Sequence, residues 1–261
     1  TGISFDLFTK LNEIGEFQRQ KNINHLGLIS FSFNTLNHTR YDYFIIQSVL
    51  SELIENNFRG TTSAQGSLNL NGVSYRGNEL LKVWFMLSNF GHCKNTVGDE
   101  KSLMIFASKR RGFFSKLTKK IDDSDLFNWA KKVVEKFDYV KFHHIISIYR
   151  IYKIFKRNIA KQNEFINIYK ALLLPQDRIS VVSDKLKLDQ LKTMYNNIRT
   201  LSIIALDTTN SHIPINIDIL STILSFDFNL DKFQGRKLSQ LFNPLINLLY
   251  EKLYLSQEAQ T

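Results

Sequence analysis

Asn78-Glu79-Leu80-Leu81-Lys82-Val83-Trp84-Phe85-Met86-Leu87 contains the longest near-continuous apolar run of the chain, Leu80 to Leu87, broken only by Lys82. Read as a helix, the run is apolar on nearly every face, and such a helix is stable in water only when other elements surround it. It therefore predicts a buried central helix. Asn78 is placed to cap it, its side-chain oxygen accepting from the free amides of a turn that begins at Glu79. Eight residues fall far short of the roughly 20 that cross a bilayer, so no membrane partner is expected.

Upstream, Leu68 and Leu70 alternate with polar residues, Asn71-Gly72 follows, and Val73 and Tyr75 alternate again. Asn-Gly supplies the positive φ angles of a two-residue turn, so a β-hairpin is expected at about 67–75. Before it, Ile45, Val49, Leu53 and, less regularly, Phe58 recur at helical spacing from Tyr41, an amphipathic pattern. Downstream, helical patterns fill about 125–170 and 184–206, the latter with Leu188, Leu191, Tyr195, Ile198 and Leu201 on one stripe. A last helix is expected over about 236–255, burying Leu238, Leu241, Leu245, Leu248 and Leu249 and kinked or split at Pro244. Only three prolines interrupt the chain, as in long helices with short connections. The expectation is one mainly α domain over 1–261, a helical bundle with a small β-hairpin insertion, with a core over 1–120 and a helical C-terminal part over 121–261.

The chain is 43% hydrophobic, ample for a buried core, which excludes disorder as the expected state. Its single cysteine, Cys93, cannot form an intramolecular disulfide, and no signal segment is evident, so a cytoplasmic setting is the default. A formal charge of +10 favours an anionic partner, whether a nucleotide, a nucleic acid or an acidic protein. The same lysine excess also serves solubility, and both readings stay open.

Four segments carry a resemblance. His25-Leu26-Gly27-Leu28 with His38-Thr39-Arg40-Tyr41-Asp42-Tyr43 comes first, then Leu87-Ser88-Asn89-Phe90-Gly91-His92, then Gly98-Asp99-Glu100 running to Phe106, and last Leu188-Asp189-Gln190-Leu191. In this order they resemble the HD-domain phosphohydrolases, particularly the deoxynucleotide triphosphohydrolase branch. The resemblance implies an HD-like helical fold with a metal cleft.

Carried over residue by residue, however, the first ligand position holds Tyr43, the His-Asp pair is Ser88-Asn89, and the His before the Glu is Asp99. Ser, Asn and phenolic Tyr are poor metal ligands at neutral pH. Without an ion to acidify a water, hydroxide has no source. Tyr43, Ser88 and Asn89 thus read as degenerate metal positions, hydrogen-bonded to one another where an ion once organised the cleft, with no cofactor expected. Only His92 and Asp189 remain from the ligand set.

Among individual residues, His38, Arg40, His92 and Lys94 are candidates for binding a ligand phosphate; Arg40 alternatively pairs with Asp42 or Glu79, and His92 alternatively belongs to the packing. His143 and His144, adjacent on a helix, point about 100° apart and read as structural. Cys93, beside His92, is a poor candidate nucleophile because helix neighbours diverge. Lys109, Arg110 and Arg111, with Lys116, Lys119 and Lys120, form one basic run; Arg150, Lys153 and Arg157 form a second, spaced to make one cationic helix face.

Three functions follow. The first is a catalytically inactive HD-like domain that binds a nucleotide, a nucleic acid or a protein as a regulatory subunit, in a protein complex or homo-oligomer; such domains serve in bacterial defence assemblies. The second is an active metal-dependent nucleotide phosphohydrolase with a rebuilt site drawn from His92, Asp99, Glu100, Asp189 or Asp207 around Mn, Fe or Zn. The third is a nucleic-acid adaptor working through the basic helices.

Overall fold

The computed structural model describes residues 2–25, 38–57, 66–119, 121–175, 178–179 and 184–210, with short pieces at 226–227, 232–233, 236–237 and 247. It is mainly helical, with a small antiparallel hairpin. The helices are α1 (Ile3–Glu13), α2 (Glu16–Lys21), α3 (Arg40–Asn57), α4 (Gly77–Phe90), α5 (Val97–Lys109), α6 (Arg111–Thr118), α7 (Ser124–Glu135), α8 (Phe142–Ile154), α9 (Ile159–Leu173) and α10 (Lys185–Asn210).

Helix α4 is the hub, touching α1, α3, α8, α9 and α10. Leu80, Leu81, Val83, Trp84, Phe85 and Leu87 are fully buried, as an all-round apolar helix requires. The Trp84 indole donates to the Ile168 carbonyl at 2.8 Å, which satisfies the one polar atom of the largest core side chain. The start of α4 differs from expectation: it begins at Gly77, Arg76 occupies the N-cap without a side-chain cap, and Asn78 lies buried inside the first turn.

The hairpin forms as read, β1 (Ser67–Leu70) pairing with β2 (Val73–Arg76) around Asn71 and Gly72 at φ 53° and 81°. It leans on α9, where the Tyr75 hydroxyl donates to Glu164 at 3.0 Å.

In α3 the periodicity was legible but the buried face is not the expected one. Ile45 and Val49 are exposed, while Tyr43, Phe44, Gln47, Leu50, Ser51 and Ile54 face inward. Polar Gln47 and Ser51 occupy the inner face because it borders a polar interior, and a purely apolar periodicity cannot register that.

The pattern over 125–170 resolves into three helices. Phe137 at φ 53° ends the first, and Asp123 and Asn158 cap α7 and α9 by accepting from Leu126 N and Lys161 N at 2.9 and 3.0 Å. Helix α10 buries the whole predicted stripe from Leu188 to Leu201.

The C-terminal part is not wholly helical. Strands β3 (Phe226–Asp227), β4 (Lys232–Phe233) and β5 (Arg236–Lys237) form a second antiparallel sheet, so the expected last helix does not begin at 236. Leu238, Leu241, Pro244, Leu245, Leu248 and Leu249 lie outside the described residues. No described helix is long and apolar enough to cross a membrane.

Candidate metal centre

Five of the six histidines, His25, His38, His92, His143 and His144, are buried in the interior that α3, α4, α8 and α10 border. Local geometry brings them there. An isolated antiparallel bridge, Asn24 with Thr39, ties the segments around 23–25 and 38–40 together. His25 N donates to His38 O at 3.0 Å and Arg40 N to Ile23 O at 2.9 Å. The bridge sets the rings of His25 and His38 5.2 Å apart, and His25 lies 4.4 Å from the Tyr43 ring.

Helix α4 ends at Gly91, where α8 passes closely: a Cβ on Gly91 would collide with the His143 carbonyl oxygen and the Ser147 hydroxyl. The close approach stacks the His92 and His143 rings at 4.1 Å and 19°. Arg19 steadies the same corner by donating to the His92 carbonyl at 2.7 Å and the Phe90 carbonyl at 2.9 Å.

Two donor groups result, each of two imidazoles and one carboxylate with ligand atoms within 4.8 Å of one another: His92, Glu100 and His143, and His25, His38 and Asp207. In the first, His92 Nδ1 lies 2.7 Å from Glu100 Oε1 and His143 Nδ1 lies 3.7 Å from Glu100 Oε2. The second distance is too long for a hydrogen bond. Both ring nitrogens of His143 are buried without a hydrogen-bond partner. In the second group, His38 Nε2 lies 3.0 Å from Asp207 Oδ1.

Burial pushes His25, His92, His143 and His144 well below the ordinary histidine range, helped at all four by the Arg199 guanidinium and at the first three by that of Arg40. Neutral imidazole, the ligating form, is thereby favoured. Burial also pushes Glu100 up to about 7, against the pull of Arg40. The Cys93 thiol is pushed up to about 11 by burial and by Glu100 and Asp99, which removes the thiolate a nucleophile needs.

The expected site residues divide accordingly. His92 and Glu100 fall in one donor group, His38 and Asp207 in the other, and Arg40 acts electrostatically on members of both. Asp99 instead accepts from Asn95 N and Nδ2 at 3.0 Å, while Lys94 and Asp189 are exposed and absent from both donor groups. Arg40 is buried; Asp42 accepts from Thr39 N at 2.7 Å and Glu79 from Ser4 N at 2.9 Å. Tyr43, Ser88 and Asn89 do not bond to one another. The Ser88 hydroxyl meets the Tyr195 hydroxyl at 2.5 Å, Asn89 donates to Gln47 at 3.1 Å and to Phe85 O at 2.9 Å, and Tyr43 donates to Arg199 O at 3.3 Å. These three side chains are held by the packing, because each finds a partner on a neighbouring turn or helix before it can reach the others.

His143 and His144 do not diverge as expected: their ring centroids lie 3.9 Å apart. His144 bonds to the Tyr169 hydroxyl, a packing role, whereas His143 joins the donor group, which sequence reasoning missed. His25 and Arg199 were missed as well; the available signal was the crowding of histidines around the quoted motifs.

The two basic runs differ from each other. Lys109, Arg110, Lys116 and Lys119 are exposed, while the Arg111 side chain and Lys120 lie outside the described residues. The second run makes no common face: Arg150 is half-buried, donating to Glu16 at 2.6 Å and to Phe90 O with its guanidinium over the Phe90 ring, and Arg157 follows the end of α8. The clefts beside the hairpin, lined by Tyr75, Lys161 and Glu164 among others, share no residue with the histidine groups. Comparison with protein-family models, curated proteins and solved structures returns no match.

Proposed function

We propose that this chain is a metal-dependent nucleotide phosphohydrolase of HD-like type, working in the cytoplasm, whose ion is held by His92, Glu100 and His143 and not by the motif positions Tyr43, Ser88 and Asn89. The observation that carries the reading is Glu100, whose two oxygens face two imidazoles, one of which, His143, has no hydrogen bond for either buried nitrogen. A buried imidazole without a partner is costly, and a metal ion is a partner that removes the cost.

Two imidazoles and a carboxylate fit Mn, Fe or Zn and leave coordination positions for water and substrate. An ion held there would supply hydroxide near neutral pH by acidifying a water. The residues around it do the rest. Arg40, whose guanidinium acts electrostatically on His92, Glu100 and His143, is the group to take phosphate oxygens, with Arg199 from α10 acting on the same two imidazoles. The net charge of +10 draws an anionic substrate in.

A second reading, a catalytically inactive nucleotide-binding regulatory subunit, is favoured by one observation: Tyr43, Ser88 and Asn89 are fully absorbed by packing contacts. One experiment separates the two. Metal content by plasma mass spectrometry and phosphate or triphosphate release from a panel of nucleoside and deoxynucleoside triphosphates are measured for the wild type, Glu100→Gln and His143→Ala, with helicity checked by circular dichroism. The hydrolase reading expects each variant to lose an ion and at least ~10–100-fold of the release rate. A folded wild type that turns over no nucleotide, with or without added Mn, Fe or Zn, leaves the inactive subunit.

A further inference from the structure

We propose that His25, His38 and Asp207 form a second divalent-cation site, separate from the one assigned to His92, Glu100 and His143 and resting on different observations. None of these three residues occupies a position of the motif pattern at 87–92 or 98–106, and the site would stand even if the hydrolase reading fell.

The geometry is that of a site already closed around a small volume. Three donor atoms lie within 4.8 Å of one another, and two of them, His38 Nε2 and Asp207 Oδ1, are 3.0 Å apart. Ligands on a tetrahedral ion with bonds of ~2.1 Å are separated by roughly 3.4 Å, so the spacing needs only small adjustment. His25 Nδ1 and His38 Nε2 are both buried without a hydrogen-bond partner, and the residues are 7% and 5% exposed. Two such imidazoles side by side, their rings 5.2 Å apart, have unmet acceptor or donor capacity that one cation satisfies at once.

The placement also says what the ion would do. His25 and His38 sit on the two strands of the Asn24–Thr39 bridge, and Asp207 sits on the last turns of α10. An ion shared by them joins the bridge to α10 across the chain's longest sequence separation within the site, where loop closure makes a cross-link most stabilising. Three protein ligands leave one position for water, as in an open site. Two imidazoles with one carboxylate select a transition ion such as Zn or Mn over Ca or Mg.

The test uses the full chain stripped with a chelator, with Zn2+ titrated in and bound ions counted by native mass spectrometry, alongside thermal melting. Two ions are expected in the wild type, one in Asp207→Asn, one in Glu100→Gln and none in the double variant. Zn2+ should raise the melting temperature of the wild type by more than that of Asp207→Asn. His38→Gln, which keeps volume and polarity, serves as the second probe should Asp207→Asn fail to fold, and it too should hold one ion. A wild type that binds a single ion, lost in Glu100→Gln and kept in Asp207→Asn, overturns this site and leaves the first. A single ion lost in Asp207→Asn and kept in Glu100→Gln overturns the first and leaves this one. Two ions retained in both Asp207→Asn and His38→Gln overturn the proposal as well.

Discussion

Gly91 at the end of α4 faces the backbone carbonyl of His143 on α8 so closely that no side chain fits between them. This contact, between two backbones and not two side chains, sets His143 against His92 and therefore decides whether Glu100 meets one imidazole or two.

Gly91→Ala should force the two helices apart, since the colliding atoms include backbone and cannot swing away. A loss of about 1–3 kcal/mol is expected, with a loss of metal affinity at His143. Urea unfolding and Zn2+ titration of the same variant check it; an unchanged midpoint with unchanged affinity contradicts the close contact.

Arg150→Ala should cost stability, not salt-sensitive affinity for nucleic acid. The Arg150 guanidinium answers Glu16, which is 1% exposed, and lies over the Phe90 ring. Its removal leaves that carboxylate to Arg19 and the Gln20 amide, at a cost of about 1–3 kcal/mol. Thermal melting reads the loss. Binding to single-stranded DNA that weakens in Arg150→Ala while stability holds would restore the basic-face adaptor.

Acidification should destabilise the chelator-treated protein. Burial holds His25, His92, His143 and His144 below their ordinary value of 6.5, so below about that pH the unfolded chain takes up protons the folded chain refuses, and stability falls with pH. Glu100 acts in the opposite sense: raised from 4.5 to about 7, it holds a proton in the folded chain that the unfolded chain releases, a contribution that fades as pH rises through that window. Four imidazoles outweigh one carboxyl. Urea midpoints should drop from pH 7 to pH 5, and a midpoint that rises over that interval refutes the burial of the neutral imidazoles.

Tyr195→Phe separates packing from site chemistry. It removes the partner of Ser88 inside the core, where both groups are buried. A destabilisation of about 1–3 kcal/mol with metal content unchanged is expected. Loss of an ion in this variant would return position 88 to the metal site.

Cys93→Ser should leave metal content and phosphate release unchanged, because a thiol raised to about 11 carries almost no thiolate at neutral pH. Slow alkylation by iodoacetamide at pH 8 is the companion measurement.

Much of the architecture is legible locally. The all-round apolarity of Leu80–Leu87 marks the hub, Asn71-Gly72 marks the hairpin through its two positive φ angles, and the stripe from Leu188 to Leu201 marks the buried face of α10. Each of these signals lies within one or two turns of chain, where steric limits and hydrophobic periodicity act directly. At Arg236–Lys237, by contrast, where the last helix was expected to begin, a two-residue strand pairs with β4.

What the sequence by itself determined is a mainly helical chain, its central helix and the histidines available to a site. Only the tertiary structure decided which of them meet. His25 and His38 converge through a backbone bridge, His143 through the space at Gly91, and Asp207 through the reach of a 26-residue helix, while Ser88, Asn89 and Tyr43 are taken by neighbours. Donor geometry depends on distances between segments far apart in the chain, and those distances are set by packing, which no local spacing encodes.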